Sequence, residues 1–267
     1  MTTTVLGRLG VRELSIAPVA DTITEPKVEI SELFLSVQGE GPSLGVPAVF
    51  VRTHRCPLRC NWANGRSPCD TMYAVDPTHP EYNDYRKMTV DEIVQEVQQI
   101  RQKAPLIVFT GGEPMLWERP LASVARALQF SNMDTWFEVE TVGVIEPKVL
   151  HTIPTLTFNV SPKLRSSGNE GRARINPKAL RFFSDLEKEK QAVFKFVVTR
   201  ENLKQDIQEI CELRNKYNLR DIYLMPAGST PEEVVDGCRE LVGVCCEYGW
   251  RLTTRLHIEL WKNERGR

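Results

Sequence analysis

From residue 28 onward the chain alternates strand-like and helix-like segments, about six times over. Residues 49–52, 106–110, 135–140, 155–160, 192–198 and 222–225 are short apolar runs of strand length. The stretches between them keep helical spacing. Thr89 and Glu92 form a capping box ahead of Ile93, Val97 and Ile100. Residues 120–130, 147–151, 177–186 and 202–217 read as further helices, the last turning Leu203, Ile207, Ile210 and Leu213 to one side. Thr230 as N-cap and Pro231 at the first helical position open another helix, to residue 248. Residues 251–256 complete the pattern as a final strand. Such alternation builds a parallel sheet with helices packed outside and right-handed crossovers. Six units fall short of a closed eight-stranded barrel, so the expected fold is α/β, a partial (β/α)6 TIM-like barrel. An open doubly wound sheet is the alternative.

Residues 1–28 carry little periodicity and are expected to be a flexible N-terminal extension, leaving 29–267 as a single domain. The net charge of −1 creates no global field for nucleic acid. Apolar runs stop far short of the roughly 20 residues a membrane span needs. Residues 1–10 lack the apolar core of an export signal, which points to a cytoplasmic protein with reduced thiols.

Three of the seven cysteines crowd into one segment: Cys56, Cys60 and Cys69, with Asp70 and Thr71 directly after. The segment follows the 49–52 strand, so the cysteines belong on a loop at its C-terminal end. In barrels that end carries the chemistry. Spacing alone favours zinc over a cluster, with His54 available as a fourth ligand. Three thiolates on a four-iron cluster would instead leave one iron open to a small molecule. Cys211, Cys238, Cys245 and Cys246 fall in helical segments and read as packing residues.

Other strand ends are also polar or glycine-rich. Thr110-Gly111-Gly112-Glu113-Pro114 follows one strand; its glycines allow a backbone to approach a ligand. Glu138 and Glu140 share a strand face, where carboxylates need partners or water. Ser161-Pro162-Lys163 closes the next strand. Lys195, inside an apolar run, is expected on the exposed side. Gln38-Gly39-Glu40-Gly41 forms a polar loop before the cysteine segment. Arg255, Lys262, Arg265 and Arg267 are expected to be a solvated basic tail.

Taken in order, these segments resemble the radical S-adenosylmethionine (SAM) superfamily and, more narrowly, its 7-carboxy-7-deazaguanine synthase family. The residues that carry the resemblance are Gln38 to Gly41, Phe50 to Arg52, Cys56, Cys60, Cys69-Asp70-Thr71, Thr110 to Pro114, Glu140-Thr141-Val142-Gly143, Ser161 to Lys163, Leu224-Met225-Pro226 and His257. Val142 stands where the family has asparagine. The gap before Cys69 is longer than the superfamily's CxxxCxxC by six residues, 63–68; loop closure tolerates such length. The resemblance implies a carbon–nitrogen lyase of queuosine or deazapurine biosynthesis that contracts the ring of 6-carboxy-5,6,7,8-tetrahydropterin with loss of ammonia. It implies a [4Fe–4S] cluster on Cys56, Cys60 and Cys69, and Mg²⁺ on Thr71. S-adenosyl-L-methionine would contact Asp70, Gly112, Glu113, Ser161 and Lys163. The pterin substrate would contact Val37, Gln38, Gly39, Glu40, Arg52, Thr110, Glu140 and His257. A homodimer and a flavodoxin- or ferredoxin-like one-electron reductase are the implied partners. A glycyl-radical-enzyme activase of the same superfamily and a non-catalytic zinc-stabilised module are the alternatives.

Overall fold

The computed structural model describes residues 26–62, 67–262 and 264–267. The expected extension therefore lies almost wholly outside the described residues, and Val28 already belongs to a strand. In chain order the strands and helices are β1 (Val28–Val37), β2 (Pro47–Thr53), β3 (Asn61–Trp62), β4 (Ser67–Pro68), α1 (Met72–Val75), β5 (Arg86–Met88), α2 (Val90–Ile100), β6 (Leu106–Gly111), α3 (Glu118–Ser131), β7 (Trp136–Thr141), β8 (Leu156–Val160), α4 (Gly171–Arg174), α5 (Pro177–Lys188), β9 (Ala192–Val198), α6 (Leu203–Tyr217), β10 (Ile222–Pro226), α7 (Pro231–Tyr248), β11 (Arg251–Leu252) and α8 (Leu256–Trp261).

Among the described residues nine strands form one sheet, in the order β11-β10-β9-β8-β7-β6-β2-β1-β5. From β2 to β11 every neighbouring pair is parallel. The two edges do not pair with each other, so the barrel is partial. The long β1 and the three-residue β5 run antiparallel at one margin. The other margin is the two-residue β11. The expected strand at 251–256 is thus cut short, because Leu256 already opens α8. The expected helix at 147–151 is only a 3-10 turn, Leu150–Thr152.

Local chemistry sets the helix starts. Thr89 accepts from Glu92 N while the Glu92 carboxylate accepts from Thr89 N at 2.7 Å, the reciprocal capping box. Asn176 caps α5 by accepting from Lys178 N at 3.0 Å. Thr230 caps α7, with Pro231 at its first position. The helices cover one face of the sheet, where Phe109, Phe137, Phe158, Phe183, Phe194 and Phe196 are buried in a single core. Burying such rings contributes roughly 2–3 kcal/mol each. A smaller cluster of Ala48, Phe50, Leu106 and Val108 packs separately from that core. Strand ends beyond these apolar sets are free to carry polar groups.

Candidate active site

One cavity collects the C-terminal ends of the parallel strands, the end of β1, the cysteine segment and the C-terminal tail. Its cysteine side begins at Arg55, which takes a positive φ of 76° and turns the chain away from β2. Arg55 N donates to Ala74 O at 2.8 Å, and Arg55 O accepts from Glu113 N at 2.8 Å. The glycine loop after β6 crosses here in backbone contact. A Cβ on Gly111 would stand 2.2 Å from Thr53 O, and one on Gly112 would stand 2.1 Å from Arg55 O. Only glycine permits this crossing, at Gly111 also because φ is 125°.

Cys56, Cys60 and Cys69 all line the cavity. Leu58, Trp62 and Val142 pack with them as an apolar wall. The wide spacing before Cys69 is closed by a two-stranded ribbon, β3 against β4, and Cys69 N donates to Cys60 O at 3.1 Å. Residues 63–66 of the expected insertion lie outside the described residues. Burial pushes the Cys56 and Cys60 thiols up, so metal would have to drive off their protons. The zinc reading loses its fourth ligand. His54 points into a different pocket, with Nδ1 2.9 Å from Ser31 Oγ and its ring between Tyr82 and Tyr85. Among the described residues no three His, Cys, Asp or Glu side chains gather around a single ion. Thiols on a cluster bind different irons and need not converge on one point. Three cysteines along one apolar wall fit a four-iron cluster.

Beside that wall, Lys163 Nζ donates to Ser161 Oγ at 2.9 Å and lies 5.7 Å from the Trp62 ring centre. Gly112, Ser161, Lys163 and Asp70 line the cavity. Glu113 is absent from that lining. It is 0% exposed and accepts from Thr141 Oγ1 (2.7 Å), Val142 N (2.8 Å) and Met115 N (3.0 Å). Its carboxylate braces the glycine loop against the end of β7. Thr71 lines the cavity with Oγ1 3.4 Å from Gly111 O.

The opposite side is a charged network. Glu138 is buried, accepting from Gln38 Nε2 at 2.7 Å and Ser43 Oγ at 2.6 Å. Burial, with the nearby Glu140 charge, pushes its carboxyl up to about 7. Glu140 accepts from Thr110 Oγ1 at 2.7 Å. Gln38, 1% exposed, lines the cavity while its amide donates to Glu138 and, at 3.3 Å, to Glu140. Lys195 is 4% exposed, not solvated as expected. It donates to Glu40 and lies 3.7 Å from Glu140. Burial would raise the Glu40 carboxyl; the charges of Lys195, His257 and Arg255 outweigh it and hold the carboxyl far below its usual range.

Of the basic residues near the C-terminus, Lys262, Arg265 and Arg267 are exposed, but Arg255 is not. Arg255 is buried, bonded to Asp70 and to Gly228 O, with Nε 3.7 Å from Glu40. Arg265 donates to Glu32 at 2.9 Å and Glu81 at 2.6 Å and lies 3.9 Å from the Tyr73 ring centre. Glu32 also accepts from Arg52 Nε at 2.7 Å and Tyr73 Oη at 2.6 Å. Val37, Gly39, Arg52, Thr110 and His257 line the cavity. Gly39 lets the start of α8 dock, since a Cβ there would meet His257 Nδ1 at 2.5 Å. The sequence reading did not single out Glu32 or Tyr73, which no local pattern marks.

The profile of the Radical SAM superfamily matches residues 50–241. The 7-carboxy-7-deazaguanine synthase of Pyrobaculum aerophilum is 36% identical over 248 residues, covering 91% of this chain and 98% of that one. The 7-carboxy-7-deazaguanine synthase of Halobacterium salinarum is 34% identical over 256 residues, covering 89% and 92%. The crystal structure of QueE from Escherichia coli superposes with a TM-score of 0.58 at 23% identity, over 85% of this chain and 93% of that one, and supports the fold.

Proposed function

The chain belongs to the radical SAM superfamily and within it to the 7-carboxy-7-deazaguanine synthases, and from that premise we propose that it converts 6-carboxy-5,6,7,8-tetrahydropterin to 7-carboxy-7-deazaguanine with loss of ammonia. The observation that carries this reading is one cavity lined both by three thiols and by a paired carboxylate–cation network. Cys56, Cys60 and Cys69 would hold the [4Fe–4S] cluster. Bound there, the cluster supplies the electron that cleaves the sulfonium of S-adenosylmethionine.

The chain's own groups orient the two organic molecules. Lys163 and Ser161, beside the cysteine wall, suit a carboxylate-bearing sulfonium. Gly112 offers backbone unobstructed by a side chain. Asp70, held by Arg255, suits an amino or hydroxyl donor. Arg52, aligned by Glu32, offers a planar fork for the pterin carboxylate. Glu40 and Glu140, both beside Lys195, suit the donor-rich pterin edge. Gln38 lines the cavity beside them and is fixed by its bonds to Glu138 and Glu140. Thr71 offers an oxygen for Mg²⁺, which prefers oxygen ligands and retains waters.

A homodimer, a one-electron reductase of the flavodoxin or ferredoxin kind, and a cytoplasmic setting complete the reading. Among the described residues no helix is long and apolar enough to cross a membrane. The test is anaerobic turnover of the reconstituted protein with the carboxypterin, followed by mass analysis. Carboxydeazaguanine is expected. Cleavage of S-adenosylmethionine without any change in the pterin would refute the reading and favour an activase.

A further inference from the structure

The loop after β8 makes a polar contact with the cysteine wall that the proposed reaction does not employ. It leaves β8 through a 3-10 turn, Arg165–Ser167, and reverses at Gly168, whose φ is 76°. A Cβ on Gly168 would stand 3.4 Å from Asn61 O, so the loop lies directly against the cysteine segment. Asn169 follows. Its Nδ2 donates to Cys60 Sγ at 3.3 Å. Its Oδ1 accepts from Arg59 N at 3.0 Å. A backbone N–H can only donate, so this second contact fixes which end of the amide is oxygen and turns the NH₂ group toward the sulfur. The remaining contacts of Nδ2 are Ser167 O at 3.3 Å and Ser167 Oγ at 3.2 Å. Ser167 Oγ donates to Leu164 O at 2.7 Å, which leaves it an acceptor for Asn169. The two amide protons are thus divided between Ser167 and Cys60, and the side chain is pinned at both ends. Cys60 itself is buried among Leu58, Trp62 and Val142.

We propose that Asn169 is a positioning residue for the iron–sulfur cluster, raising its reduction potential through an N–H···S hydrogen bond to the Cys60 ligand. The inference rests on the reading of Cys60 as a cluster ligand. Reduction adds an electron, and part of the added negative charge resides on sulfur. A donor aimed at that sulfur stabilises the reduced state more than the oxidised one, and hydrogen bonds to sulfur are a recognised lever on cluster potentials. The dry surroundings of Cys60 strengthen the effect. Arg59, next to the ligand, is held by the same amide, so position and potential are controlled together.

Asn169→Asp tests this. It retains an oxygen for Arg59 N and replaces the donor facing Cys60 with an acceptor. Anaerobically reconstituted wild type and variant are titrated potentiometrically, reading the paramagnetic signal of the reduced cluster, with iron counted in both. At a fixed potential the variant's reduced-to-oxidised ratio is expected to fall at least tenfold, about 59 mV for a one-electron couple. Full iron content with an unchanged midpoint overturns the proposal and leaves Asn169 a loop clip. Should the variant fail to take up iron, the wild type decides. Pulsed EPR of reduced protein labelled with ¹⁵N in asparagine side chains is expected to show a ¹⁵N coupling, and its absence overturns the proposal. Wild type that forms carboxydeazaguanine while the variant's midpoint stays put removes this inference and leaves the synthase reading intact. Wild type that forms none, with the midpoint shifted, does the reverse.

Discussion

Lys195→Met removes the cation at the centre of the carboxylate network while nearly preserving side-chain volume. Lys195 is buried, donates to Glu40 and lies 3.7 Å from Glu140. At an effective dielectric near 20, the Glu140 contact alone is worth on the order of 4 kcal/mol before desolvation. Much of that gain is spent on burying the charges, so the intact network is worth far less than its gross attraction. Deleting one partner is different, because Glu40 and Glu140 then remain beside Glu138 without their nearest cation. Such a deletion costs about 3–5 kcal/mol. Arg255 and His257 still face Glu40, which places the expectation toward the lower end. In wild type the Glu40 carboxyl is held low, so its contribution is fully present above the ordinary carboxylate range and persists well into acid. In the variant the Glu40 carboxyl rises, and its protonation relieves the repulsion as pH falls. The deficit should therefore be largest near pH 7–8 and shrink toward about pH 5. Guanidinium unfolding of metal-free wild type and variant at both pH values measures it. A deficit under about 1 kcal/mol at neutral pH, or one identical at both pH values, would refute the reasoning.

Glu138→Gln tests the buried carboxyl. Its folded pKa of about 7 lies above the ordinary 4.5, so wild-type stability is lost as pH rises between those values. The variant should gain up to roughly 3 kcal/mol over wild type at pH 8, and none at pH 4; parallel pH–stability curves would contradict this. Gly111→Ala forces a side chain onto Thr53 O at a positive φ. It should cost more than about 3 kcal/mol, and an unshifted melting temperature would dismiss the crossing as a constraint. Cys69→Ala should lose the four-iron absorption after reconstitution; an intact spectrum would show that another residue is the ligand.

The parallel strands were legible because each is a short apolar run followed by an amphipathic helix with its own cap. The Thr89–Glu92 box and the Thr230–Pro231 start are local devices, and they stand where the sequence places them. β1 and β5 were harder, because their pairing joins segments far apart and their residues carry no hairpin signature. The cysteines and the glycine crossing were legible from type and order. The roles of Glu113, Lys195 and Arg255 were not. Each is a charged residue whose partner is distant in sequence, Thr141 for Glu113, Glu40 for Lys195 and Asp70 for Arg255. A charge in an apolar run reads as exposed until its counter-charge is located in space. Asn169 lies 109 positions from Cys60 and sits in no recognisable motif.

The margins of the sheet bear on how this protein behaves in a crowded solution. A curved sheet that never joins its own ends offers two unsatisfied backbone rims, ordinarily an invitation to strand-by-strand polymerisation. Here each rim is a stub, three residues on β5 and two on β11. Arg86 and Lys87 occupy one and Arg251 the other. Two molecules meeting rim to rim would gain only a handful of backbone pairs, against bulky arginines already held by Glu96 and Asp221. Colloidal safety is thus built into the same open architecture that carries the cavity.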